Sequence, residues 1–273
     1  MKNYGITGRQ SGDGVPISSS LPAALEIAEG EIEGHYSVNK FGRTTNADAA
    51  DPTDIWDRAN ATNDQAIWLA PTAARIHTLT STNDGDKDDG SAGARTVRVY
   101  GLQTWDSAET SEDISMNGTS ARNTVNSYVI IHRMTVIASG SSGPNIGTIT
   151  AVASSDATVT AQIQPLEGQT QMAIYGIPST QTLFVTKFYV GIERDSPAGA
   201  DALIKLLWCF DVENQPTVFQ VKHTLSASKG TYIQHEYNPY NSFTGPGILK
   251  LQINSDANDT IADGGFGLIL VDN

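Results

Sequence analysis

Hydrophobic and polar residues alternate along much of the chain from residue 66 onward. Residues 96–100 read Thr-Val-Arg-Val-Tyr, and residues 148–151 and 158–163 repeat the alternation with threonine at most of the polar positions. Successive side chains of a strand point to opposite faces of a sheet. This period of two therefore predicts half-buried β-strands with a threonine-rich solvent face.

The remaining strands are predicted to be more apolar. Residues 128–138 are apolar on both faces apart from His132 and Arg133, which predicts a central strand. In the second half of the chain, apolar positions with a period of two lie in residues 202–212, 219–225, 249–253 and 266–270. Turn residues separate these segments, and roughly a dozen or more strands result. No helix-length periodic segment lies between them, so we predict an all-β fold of the β-sandwich or jelly-roll type.

The first 33 residues follow neither period. They are rich in Gly and Ser, and residues 21–28 form one short helical candidate with Pro22 in its first turn. We predict an extended N-terminal arm over residues 1–33, either a frayed tail or a segment laid over a neighbouring subunit. Residues 34–165 are predicted to form a first β-sandwich region and residues 166–273 a second sandwich or jelly-roll region, as two packed sandwiches or as parts of one larger fold.

Charge and cysteine content narrow the classes of function. The 273 residues carry a formal net charge of −13, which repels phosphate backbones and makes nucleic acid an unfavourable partner. Cys209 is the single cysteine and lies in an apolar run, so it is expected to pack in the core. The sequence shows no signal peptide and no apolar run long enough to span a bilayer. We therefore expect a protein made in a cytoplasm, or used in an assembly formed there.

One acidic loop is a weak candidate for a metal site. Asp84, Asp86 and Asp88 alternate with glycine and lysine, as in a calcium loop. The helix–loop–helix calcium motif requires Gly at its sixth position and an acidic residue at its twelfth, where this loop has Asp89 and Arg95. We expect a solvated loop, with cation binding as the alternative.

No other pattern predicts catalysis or a cofactor. Carboxylate pairs such as Glu31 with Glu33 and Glu109 with Glu112 and Asp113 occur in polar, loop-like stretches. No nucleophile elbow, phosphate loop or zinc-protease motif is present. We therefore predict no catalytic residue and no cofactor. The histidines are not spaced as metal ligands on one strand or helix: His35, His77, His132, His223 and His235.

Several aromatic residues could line a carbohydrate-binding surface or pack in the interior. The densest cluster is in residues 235–240, which read His-Glu-Tyr-Asn-Pro-Tyr. The candidates are Trp56, Trp68, Trp105, Tyr237, Tyr240 and Phe243. Packing is the expected role for most of them.

Several segments between residues 35 and 273 resemble a family of virion structural proteins of tailed phages, including marine and cyanobacterial ones. They occur along the chain in the same order as in that family. The resembling segments are His35-Tyr36-Ser37-Val38-Asn39-Lys40-Phe41-Gly42-Arg43, Asp54-Ile55-Trp56, residues 93–102, residues 116–119, residues 168–178 and residues 267–273. The arm before residue 35 is not covered. Within these segments, Gly101 and Gly118 are expected to close strand ends with a positive φ.

This resemblance implies a non-enzymatic virion protein with no catalytic residues to transfer. We expect a decoration or cement protein on the outer capsid surface. Its partners would be the major capsid protein and copies of itself, as a trimer, with neither nucleic acid nor membrane. The alternatives are a tail, fibre or receptor-binding component and a carbohydrate-active enzyme.

Overall fold

The computed structural model describes residues 23–49, 51–57, 65–194 and 200–273. In these residues one short helix, α1 (Ala23–Ala28), precedes sixteen strands. The strands are β1 (His35–Ala47), β2 (Thr53–Asp54), β3 (His77–Ser81), β4 (Ala94–Leu102), β5 (Thr110–Ser115), β6 (Arg122–Asn123), β7 (Ile130–Ser139), β8 (Ile149–Ala153), β9 (Val159–Ile163), β10 (Ile174–Ile177), β11 (Gln181–Arg194), β12 (Asp201–Cys209), β13 (Gln220–Ser228), β14 (Tyr232–Thr244), β15 (Gly247–Ser255) and β16 (Thr260–Asp272). The predicted all-β, sandwich-like fold is confirmed. No helix in the described residues is long and apolar enough to cross a membrane.

The strands form four antiparallel sheets. Sheet I has the order β1-β16-β11-β14, and sheet II has the order β10-β15-β12-β13 with β2 paired to β15. Sheet III has the order β6-β3-β8-β9, and sheet IV has the order β5-β4-β7. The predicted boundary at residue 165 stays a prediction. The pairing nevertheless joins β1 and β2 to sheets built from the second half of the chain.

Two hydrophobic clusters form the core of the described residues. One lies between sheets I and II and includes Phe188 and Phe266, both fully buried. The other joins sheets III and IV and includes Trp56, Trp68 and Tyr128. This second cluster continues onto side chains of β10 and β15, so the two halves share apolar contacts. Burying one such aromatic side chain stabilises the fold by roughly 1.5–3 kcal/mol.

The alternating segments of the sequence became strands as predicted, with two exceptions. Residues 128–138 largely form β7, but β7 is a terminal strand of sheet IV instead of a central one. Its outer edge is covered, because Val136 N donates to Gly168 O at 2.7 Å and Thr170 N donates to Met134 O at 3.0 Å. The long strand predicted over residues 202–212 ends at Cys209.

One glycine closes a strand connection as predicted and one does not. Gly118 has a φ of +63°, the left-handed region that favours glycine. Gly101 lies inside β4, where a Cβ atom would overlap the carbonyl oxygen of Ile130. Glycine is therefore required at this position by the close approach of β4 and β7.

Most of the predicted arm, residues 1–22, lies outside the described residues. The described part of the helical candidate coincides with α1, which packs against β1 at one end of sheet I.

Candidate functional site

The acidic loop proposed as a weak metal site has protein partners of its own. Asp86 is fully buried, and its carboxylate accepts four hydrogen bonds. They come from Ser81 Oγ at 2.6 Å, Ala94 N at 2.8 Å, Ile146 N at 2.9 Å and Gly147 N at 2.8 Å. This carboxylate therefore holds three segments of the chain together.

The other acidic residues of the loop are exposed. Lys87 Nζ lies 3.6 Å from Asp84 Oδ1 and 3.8 Å from Asp89 Oδ2. Asp88 contributes its backbone amide, which donates to Met116 O at 3.0 Å. Across the described ranges, no three His, Cys, Asp or Glu side chains are grouped so that they could hold a metal ion.

The carboxylates from the polar stretch 109–113 bond within the protein. Glu112 and Asp113 lie on β5, not in a loop. Glu112 accepts from the backbone of Val125 and Asn126 at 2.9 and 3.1 Å, and Asp113 accepts two hydrogen bonds from Arg98 at 2.6 and 2.8 Å.

Glu109, which precedes β5, belongs to a buried polar network that links the two halves of the molecule. His132 on β7 is buried, and its Nε2 lies 2.6 Å from Glu109 Oε2. Its Nδ1 accepts from Gly176 N at 3.4 Å, so Nε2 carries the proton and donates it to Glu109. Lys40 on β1 is also buried and donates to the carbonyl oxygen of His132. The Tyr175 ring lies on the imidazole, with centroids 4.4 Å apart.

Burial and the neighbouring charges set the protonation of this network. Burial lowers the pKa of Lys40 to about 7, with Arg133 adding to the effect. Burial also lowers the pKa of His132 and outweighs its bond to Glu109. Burial acts to raise the pKa of Glu109, but the hydrogen bond from His132 and nearby cations outweigh it and lower that pKa. The stable state is a neutral imidazole that donates to a carboxylate.

This network stands beside a cleft of about 990 Å³ lined by Glu109, Arg133 and Tyr175. Both ring nitrogens of His132 are engaged within the protein, so neither is free to take a proton from a molecule in the cleft. The arrangement fixes β1, β7 and β10 relative to one another. We interpret it as a structural junction.

The aromatic candidates divide between the interior and one surface groove. Trp56, Trp68 and Trp105 are buried, and Trp68 Nε1 donates to Thr160 O at 2.9 Å. Phe243 packs on Trp208, with ring centroids 5.1 Å apart. These four residues belong to the core.

Tyr237 borders a groove of about 710 Å³ on the outer face of sheet I, but its ring packs inward on the buried Phe188, with centroids 6.3 Å apart. Tyr240 lines this groove. Tyr189 on β11 and Tyr232 on β14 line it as well, and α1 forms one of its walls. We call it the tyrosine groove. Tyr189 and Tyr232 were not predicted, because only the pairing of β11 with β14 brings them together.

The structure also brings together two histidines that are not at metal-ligand spacing. His223 on β13 and His235 on β14 have ring centroids 4.1 Å apart where the edges of sheets II and I meet. Burial and the neighbouring His235 lower the pKa of His223. Cys209 is buried, as expected, and its Sγ donates to Gln215 O at 3.4 Å.

His77 on β3 is a buried histidine that is expected to make the stability of the fold depend on pH. The side chain is buried, Nδ1 lies 3.0 Å from Arg75 O, and Nε2 has no hydrogen-bond partner among the described residues. Protonation would add a buried N–H donor without an acceptor, and burial lowers the pKa of His77 to about 4. A group with a lowered folded-state pKa supports folding above its unfolded value of 6.5 and loses that support as the pH falls towards 4.

We therefore expect the free energy of unfolding to fall between pH 7 and pH 4, with up to about 3 kcal/mol of the loss due to His77. Urea titrations at several pH values should show that the free energy of unfolding falls less with decreasing pH for His77→Asn than for the unmodified chain. His35→Asn, at a more exposed histidine on β1, is the control and should follow the unmodified chain. If the free energy of unfolding fell equally with pH in the unmodified chain and in His77→Asn, His77 would not be a cause of the pH dependence.

Comparison with known proteins gives only weak similarities. No family model and no curated protein matches this chain. Among solved structures, infectious bursal disease virus, Gt strain, aligns with 11% identity over 92% of this chain and 78% of the other, with a TM-score of 0.23. A mutant VP2 protein of infectious bursal disease virus in derived T=1 particles aligns with 12% identity over 88% and 70%, with a TM-score of 0.21. The chain thus has a weak structural similarity to viral capsid proteins, too low to support a conclusion on topology or activity.

Proposed function

We propose that the protein is a non-enzymatic structural component of a tailed-phage virion. It would bind the outer capsid surface as a decoration or cement protein that stabilises the head. The proposal rests on the segments between residues 35 and 273 that resemble virion structural proteins and occur in the same order along the chain. The net charge of −13 is consistent with a place outside the packaged genome.

The internal hydrogen bonds of the buried polar residues support a structural role. The buried carboxylate of Asp86 and the His132–Glu109 pair use their polar atoms for internal hydrogen bonds. A rigid β-sandwich of this kind can present its surfaces without moving parts or a bound cofactor.

The proposed partners are the major capsid protein and further copies of this chain, as a trimer, with no nucleic acid or membrane contact. One sheet edge supports self-association. Strand β13 is the terminal strand of sheet II and carries the exposed Val221, and the connection leading to it carries the exposed Phe210 and Val218. An edge strand beside exposed apolar side chains is a favourable place for another chain to pair.

The copy number of the protein in purified virions tests the proposal. A head decoration protein occupies a repeating lattice and should be present in hundreds of copies, comparable to the major capsid protein by quantitative gel densitometry. Labelling with a gold-conjugated antibody should mark the head, and the portal protein in the same lanes provides a low-copy standard. A handful of copies, or labelling of the tail alone, would contradict a place on the head.

A tail, fibre or receptor-binding component is the second candidate. The tyrosine groove is the observation that favours it, because exposed aromatic side chains beside polar groups are common at recognition surfaces. The same densitometry separates the two candidates.

A further inference from the structure

We propose that the tyrosine groove is a binding site for an uncharged oligosaccharide. This inference goes beyond a place in the virion, because it concerns a ligand that the isolated protein would bind.

Two glycines of β16 keep the floor of the groove low: Gly267 lines the groove, and Gly265 lies under the Tyr189 ring beside it. Gly265 and Gly267 on β16 lie at the centre of sheet I, opposite Phe41 and Asn39 of β1. The phenol ring of Tyr189 lies over Gly265, where even a Cβ atom would overlap the Tyr189 hydroxyl. The ring is thus laid along the sheet, and its outer face is a platform on which the C–H face of a sugar ring can stack.

The walls supply further aromatic surface. Tyr232 is 63% exposed and its ring centroid lies 6.1 Å from that of Tyr189, with 34° between the planes. Tyr240 is 51% exposed and also lines the groove. Tyrosine has two side-chain torsions, so these rings offer contact area at a low cost in conformational entropy.

The polar groups of the groove suit hydroxyl groups better than a charged ligand. Lys187 and Glu236 are direct cross-strand partners, so one positive and one negative charge stand side by side. Gln234 lies beside the groove, between Tyr232 and Glu236 on β14. It donates to Glu236 Oε1 at 2.7 Å, while Tyr232 Oη donates to Gln234 Oε1 at 3.2 Å. Amide, phenol and paired charges both donate and accept hydrogen bonds, as a row of sugar hydroxyls requires.

Charge disfavours anionic ligands. The net charge of −13 opposes uronate or sulfate groups, and Lys187 and Glu236 place one charge of each sign at facing positions of the groove. An apolar peptide would find a glycine floor in place of pockets for side chains. The occupant that fits both the aromatic platforms and the balanced charge is a neutral hexose oligomer.

The test uses the full chain with three neutral probes, maltohexaose, cellohexaose and mannohexaose, and with hexagalacturonate as an anionic probe. Binding is measured by isothermal titration calorimetry and by saturation transfer to the sugar protons. At least one neutral hexamer should bind with a dissociation constant of about 1 mM or lower, and hexagalacturonate should bind at least about tenfold more weakly.

The variant Tyr232→Ala should weaken that binding at least about tenfold, the effect of losing one stacked ring. Tyr36→Ala is the matched control, since Tyr36 is 49% exposed on the same sheet but lies outside the groove. Circular dichroism of both variants should match that of the unmodified chain.

Three results would overturn the proposal. One is the absence of binding by all three neutral hexamers at about 10 mM. Another is an equal loss of binding in Tyr36→Ala and Tyr232→Ala. The third is binding that occurs only after residues 1–22 are removed, which would assign the groove to the chain's own N-terminal segment.

Discussion

Replacing Asp86 by alanine is expected to lower the free energy of unfolding by more than about 3 kcal/mol. The substitution would leave the backbone amides of Ala94, Ile146 and Gly147 inside the protein without an acceptor. Each buried donor without a partner costs about 1–3 kcal/mol. Chemical denaturation monitored by tryptophan fluorescence measures the effect.

Asp88→Ala is the control for this experiment, because Asp88 is an exposed carboxylate in the same loop. Its substitution should change stability by no more than about 0.5 kcal/mol. If both variants lost stability equally, the loop would act through its summed charge instead of through Asp86. If calcium stabilised the unmodified chain but not Asp88→Ala, the result would instead support cation binding by the loop.

Replacing Lys250 by methionine is expected to cost about 3–5 kcal/mol. Lys250 Nζ lies 2.5 Å from Asp54 Oδ2, and the two side chains are 2% and 0% exposed. The same Asp54 carboxylate accepts from Trp68 N at 2.8 Å and Gln252 Nε2 at 3.0 Å. Removing the ammonium group would leave an uncompensated carboxylate in the interior, and β2 would lose one of its side-chain contacts with β15.

The double variant Asp54→Asn with Lys250→Met separates this charge effect from lost packing. Because it removes both charges, it should be more stable than Lys250→Met alone. Arg98→Ala breaks an exposed ion pair with Asp113 and should cost less than about 1 kcal/mol. A double variant less stable than Lys250→Met would show that the stability comes from packing around the pair.

Local pattern predicted the strands but not their partners. The alternation in residues 96–100 placed β4 correctly, because side-chain alternation is a property of one strand. The edge position of β7 depends on which strand lies beside it, and no local signal carries that information. The covering of its free edge by residues 168–170 is likewise a contact between distant segments.

For the candidate sites too, the sequence identified local clusters but not the distant residues that fold against them. The acidic loop was found, but the role of Asp86 is set by amides 60 and 61 residues further along the chain. Tyr237 and Tyr240 were found as a local cluster, whereas Tyr189 joins them only through the pairing of β11 with β14. His132 and Glu109 are 23 residues apart and meet only after folding.

The pairing of β1 with β16 has a consequence for the order of folding. Residue 35 pairs with residue 271, so sheet I cannot be completed until the last strand has left the ribosome. All strands of sheets III and IV lie within residues 77–163, so their strand pairing uses no later strand. Contacts between nearby segments form faster than contacts between distant ones. During synthesis, β1 would therefore stay unpaired while the middle of the chain folds. In this interval the partly apolar β1 segment of one nascent chain could mispair with other copies.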